Sequence, residues 1–161
     1  MDFQERLQRA VQRGEQRRTQ SARHQILEQL SEEESRALHA QARAELSDHI
    51  EHCLRHLADT FPGFEFQTVL SADGYGAKVR RDDLRARGGR PLVHEYSHLE
   101  LLVRSYSNSR ILEVVGRGTV ANKEVLNRSA YQFLNQLDLE TLKQQVDQWV
   151  LDYAERFAAA G

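Results

Sequence analysis

The sequence predicts a single α+β domain over residues 1–161: an N-terminal helical hairpin, an antiparallel sheet of four or five strands, and a C-terminal helix packed on one sheet face. Three observations carry this prediction. Apolar residues recur at helical spacing in residues 1–61 and again in 138–160, and the period shortens to two within 64–133. Hairpin turn signals separate the period-two runs, which makes the sheet antiparallel.

Within the first helix, Phe3, Leu7, Val11, Ile26 and Leu30 form a thin apolar stripe that weakens around residues 14–23. Ser31-Glu32-Glu33-Glu34 then reads as a capping box, with the Ser31 hydroxyl accepting the Glu34 amide, and marks the start of a second helix. The stripe of that helix is Leu46, Ile50, Cys53, Leu54, Leu57 and Phe61, and Pro62-Gly63 ends it. Residues 1–25 hold six arginines against three acids, whereas residues 28–59 hold eight acids against three arginines, so antiparallel packing juxtaposes opposite charges.

From Phe64 onward, Phe64, Phe66 and Leu70 alternate with polar residues, and Asp73-Gly74 signals a turn into a returning segment at Ala77–Arg81. Asp82–Arg90 reads as a mobile basic loop. Leu99, Leu101 and Val103 alternate, Ser107-Asn108-Ser109 turns the chain, and residues 111–120 return with β-branched residues. Val125–Phe133 is the fifth strand of the larger count. Asp138 caps the last helix, whose stripe is Leu139, Leu142, Val146, Trp149, Val150, Tyr153 and Phe157.

Composition narrows the classes of function. The chain has the length of one ordinary domain, with 40% hydrophobic residues and only two prolines. A net charge of −2 gives no whole-protein reason to expect nucleic acid or an anionic membrane as partner. Cys53 is the only cysteine, which rules out an intramolecular disulfide and fits a reducing compartment. Met1–Arg18 lacks the apolar core of a secretory signal, and no run approaches the roughly 20 apolar residues that span a bilayer, so a cytoplasmic location is expected.

Three groups of residues carry candidate chemistry. His94-Glu95-Tyr96-Ser97-His98 spells His-Glu-x-x-His, in which two histidines one helical turn apart bind zinc and the glutamate acts as general base. Over these five residues the chain resembles the zincin metallopeptidases. The resemblance implies His94 and His98 as zinc ligands, Glu95 as the catalytic base, and Glu113 or Glu124 as a third ligand. The longer metzincin pattern fails, because Leu101 stands in place of its glycine and Arg104 in place of its third histidine. The neighbouring alternation instead places the run on a strand, with Val93, Leu99, Leu101 and Val103 facing the core. His94, Tyr96, His98, Glu100 and Arg104 then line the opposite face.

His49, His52 and His56, with Cys53 between them, are spaced by three and four on the second helix, which suits either metal binding or boundary histidines around a buried thiol. The third group is the basic loop. Arg85, Arg87 and Arg90, with nearby glycines, are candidates for anion binding, although no P-loop pattern is present. Gly74-Tyr75-Gly76 and Gly116-Arg117-Gly118 are too short for a dinucleotide fingerprint and read as turn and sheet glycines.

The sequence does not identify a function. The reading carried forward is a non-enzymatic binding or adaptor protein that uses its helical hairpin or polar sheet face and has no cofactor. It would bind a protein partner or a second copy of itself through the N-terminal helices. The alternative is a zinc-dependent hydrolase built on His94, Glu95 and His98.

Overall fold

The computed structural model describes residues 2–86, 88–89 and 91–160; the side chains of residues 25–30 lie outside the description. The protein is α+β, in the order α1 (Phe3–Thr60), β1 (Glu65–Ser71), β2 (Gly74–Arg85), β3 (Val93–Arg104), β4 (Ile111–Val120), β5 (Lys123–Phe133) and α2 (Leu139–Ala160). It divides into two compact units, Met1–Ala37 and Leu38–Gly161. The whole sheet, the last part of α1 and all of α2 belong to the second unit.

Both stretches expected as N-terminal helices are helical, and no turn is present at Ser31–Glu34 within Phe3–Thr60. The reason is local. A capping box needs its first residue outside helical geometry, and between Gly14 and Pro62 the chain has neither glycine nor proline to force that departure. Serine and glutamate are tolerated within a helix at a cost of only a few tenths of a kcal/mol each.

In the first unit, the Asp2 carboxylate accepts the Glu5 amide at 2.9 Å and so caps the start of α1. Arg36 pairs with Glu32 one turn earlier at 3.2 Å. Phe3, Leu7 and Val11 are exposed.

The five strands of the second unit pair in sequence order, every pair antiparallel. β2 continues to Arg85, so the expected loop is shorter than Asp82–Arg90. The extension is held by pairing of Asp82 with Tyr96 and Leu84 with His94, and by ion pairs Arg81–Asp83 at 3.0 Å and His94–Asp82 at 3.0 Å. β4 and β5 are joined by Ala121-Asn122, both at positive φ, the arrangement a two-residue hairpin needs to match strand twist.

Both helical segments of this unit cover one sheet face. Leu46, Ile50, Leu54 and Leu57 of α1, and Leu142, Val146, Trp149 and Tyr153 of α2, share a core with Ala77, Val79, Leu99, Leu101, Val103, Leu112 and Val114. The helices run alongside one another in the same direction. Glu45 meets Lys143 at 2.9 Å, His49 meets Asp147 one turn further along both helices, and the Phe61 and Phe157 rings meet at the far end, 4.9 Å between centroids. Five strands, an odd number, return the chain to the direction in which it left α1. Asp138 caps α2, its carboxylate accepting the Thr141 hydroxyl at 2.7 Å.

Candidate metal centre

His94 and His98 lie on β3, on the face away from the helices, four residues apart along an extended strand. At about 3.3 Å of rise per residue their Cα atoms stand roughly 13 Å apart, beyond the span of one metal ion. Each has another partner: His94 pairs with Asp82, and His98 stacks on Tyr96 with ring centroids 5.1 Å apart. Burial holds the His98 pKa below its ordinary value, Glu100 opposing and Lys78 assisting. Glu95 points the opposite way and is buried in an ion pair with Arg85 at 3.0 Å. The two histidines and the base that the zincin resemblance requires are therefore on opposite faces of a sheet, and the resemblance ends at spelling. The two candidate third ligands do not rescue it, since Glu113 pairs with Arg104 at 2.8 Å and Glu124 lies on exposed β5.

The strand's expected inward set is mostly buried: Leu99, Leu101 and Val103 sit in the core, while Val93, at the start of the strand, lines a surface groove of about 580 Å³ with Glu95 and Arg156. On the uncovered face, Lys78, Glu100 and Arg117 stand directly opposite one another on three adjacent strands. Alternating charge across strands stabilises a sheet by about 0.2–1 kcal/mol per pair, which accounts for this polar row without a ligand.

Of the anion candidates, Arg85 is committed to Glu95 and also donates to the Ala160 carbonyl at 3.4 Å. Arg87 and Arg90 lie outside the described residues.

The three candidate histidines of α1 do not gather at one point. His52 and His56 face solvent and contact each other edge to face, centroids 4.5 Å apart. His49 turns instead toward α2 with Cys53, one helical turn on, and there they meet Asp147. His49 Nε2 lies 2.7 Å from Asp147 Oδ1, Cys53 Sγ lies 3.3 Å from the same oxygen, and Sγ and Nε2 are 3.6 Å apart. All three side chains are partly buried, and their donor atoms lie within 4.8 Å of one another. This is the one such mixed cluster of three or more potential metal ligands among the described residues.

Two proton donors thus converge on one carboxylate oxygen. The imidazole N–H and the thiol S–H both point at Asp147 Oδ1, and the thiol's proton is held strongly: burial first, then the hydrogen bond to Asp147 and its charge, push Cys53 up to about 12. A thiol so protonated is not the nucleophile of a Cys-His pair, which requires a thiolate favoured by its surroundings. What the trio offers is a nitrogen, a sulfur and an oxygen donor around one point.

Sequence reasoning found His49 and noted Cys53, but missed Asp147. Residue 147 looks like any exposed helix carboxylate, and only the register between α1 and α2, 98 residues apart in the chain, gives it a role. No protein family, curated protein or solved structure matches the chain. No described helix is long and apolar enough to cross a membrane.

Proposed function

We propose that this is a non-enzymatic binding or adaptor protein of the cytoplasm, and that its N-terminal unit associates with a second copy of the chain. The observation that supports this reading is the apolar stripe of the first unit. Phe3, Leu7 and Val11, spaced by four and so on one helical face, are 76%, 51% and 53% exposed. A helix with so few apolar anchors gains its stability from a complementary surface. Charge favours a second copy as that surface: residues 1–25 carry six arginines against three acids, and residues 28–37 carry four acids against one arginine. Antiparallel pairing of two such segments sets each basic stretch against an acidic one, twice over.

Light scattering on the full-length protein tests this. The wild type is expected at dimer mass and a Leu7→Glu/Val11→Glu variant at monomer mass, with the dimer weakening as salt is raised because the paired charges are exposed. Equal monomer masses for the two proteins would exclude self-association.

A further inference from the structure

We propose that His49, Cys53 and Asp147 form a zinc site that ties α1 to α2 within the second unit, with solvent water as the fourth ligand. The donor set is one that zinc accepts, imidazole nitrogen, thiolate sulfur and carboxylate oxygen. The geometry approaches what the ion needs on two of its three edges. Zinc bonds of about 2.3 Å to sulfur and about 2.0–2.2 Å to nitrogen and oxygen, at the tetrahedral angle, hold neighbouring donor atoms about 3.4–3.6 Å apart. In the structure the sulfur–nitrogen edge is 3.6 Å and the sulfur–oxygen edge 3.3 Å. The nitrogen–oxygen edge, 2.7 Å, is a hydrogen bond and opens to about 3.4 Å when the proton between the two atoms is replaced by the ion.

The supports are already rigid. His49 and Cys53 are one turn apart on a helix whose neighbours Ile50 and Leu54 are fully buried, and Asp147 lies between the buried Val146 and the buried Trp149 and Val150. Lys143 and Glu45, one turn earlier on both helices, fix the register. The Asp147 side chain is 47% exposed, which leaves a route for the ion and room for a water ligand.

Proton balance makes the site distinctive. On ligation Cys53 loses its thiol proton, and His49 binds through Nε2 with its remaining proton on Nδ1. Because the thiol is fully protonated near neutrality, each zinc releases at least one proton. The result is a hydrogen-bonded trio exchanged for a metal bridge between two parallel helices.

The test uses untagged full-length protein, stripped of metal and titrated with zinc alone by calorimetry in two buffers of different ionisation enthalpy. One zinc per chain is expected, with at least one proton released and a thermal midpoint that rises with zinc concentration. Cobalt in place of zinc reads the sulfur without any substitution: the wild type should show a thiolate-to-cobalt charge-transfer band in the near ultraviolet. Cys53→Ser and His49→Gln should lose both the band and zinc uptake, while His52→Ala/His56→Ala keeps them. Failure of the wild type to take up zinc, or uptake without the cobalt–thiolate band, overturns the site. So does loss of zinc in His52→Ala/His56→Ala with retention in Cys53→Ser, which would move the metal to the solvent-facing pair.

Discussion

His39 is almost wholly buried, donates from Nε2 to the Arg104 carbonyl at 3.1 Å, and meets the edge of the Tyr106 ring. A carbonyl only accepts, so Nε2 carries the proton. Burial lowers the His39 pKa below its ordinary 6.5, with the Arg43 charge acting the same way and the hydrogen bond to Arg104 against it. The sign of the pH effect follows from linkage: the unfolded chain takes up this proton near pH 6.5 and the folded one only below that. The stability is therefore complete above about pH 6.5 and is lost as pH falls toward the folded value. We expect the thermal midpoint of the wild type to drop between pH 7 and pH 5. A His39→Gln variant should start lower at pH 7 and drop less, and parallel curves for the two proteins would show that His39 is not the group responsible. His98, shifted in the same direction, contributes to the common fall. Neither role was legible in the sequence: His39 lies two turns before Leu46 on the same helix face, and the carbonyl it bonds is 65 residues away.

The elements themselves were far more legible, because period and turn chemistry are local properties. The alternation of Leu99, Leu101 and Val103 was enough to place His94 and His98 on a strand, and Asp138 was enough to start α2. What local pattern could not supply was the reach of β2 through Asp82–Arg85, which depends on pairing with β3 and on the cross-strand ion pairs His94–Asp82 and Arg85–Glu95, or the absence of a turn at Ser31. Gly116 and Gly118 show the same division. The sequence marks them as sheet glycines, but their purpose appears only when α2 is laid on β4: a Cβ on Gly116 would meet the Leu101 side chain at 2.7 Å and the Trp149 ring at 3.1 Å, and one on Gly118 the Tyr153 ring at 2.8 Å. The Tyr153 ring is fixed in turn by its hydroxyl, which donates to the Thr119 carbonyl at 2.8 Å. A Gly118→Val protein should therefore lose about 1–3 kcal/mol, measured by urea denaturation, through overpacking at a face that cannot yield. A loss below about 0.5 kcal/mol would mean that α2 rides up without resistance.

On the scale of the whole molecule, the two units differ in what holds them. The second carries the shared core of two helices and five strands, whereas residues 3–24 of the first are exposed throughout. Local opening costs least where least apolar surface is buried, so brief trypsin treatment of dilute protein should cut among Arg6–Arg23 before any site within residues 38–160. Initial cleavage inside the sheet would reverse that order of stability. Composition gave no hint of this division: the charge and the apolar fraction of the whole chain average over both units.

The turn at Ala121-Asn122 has a consequence for how the protein behaves in a crowded solution. β3 outruns β4, pairing with it only from His98 onward, so residues 93–97 present backbone groups on that side with no neighbouring strand. Such an overhang is a template for adding a strand from another molecule. Asn122 occupies it instead: its side chain accepts the Tyr96 amide at 2.8 Å and donates to the His94 carbonyl at 2.9 Å, and its own amide donates to the Tyr96 carbonyl at 2.9 Å. One asparagine thus does the hydrogen bonding of a missing strand, and a sheet that could seed aggregation along this margin is closed to its neighbours.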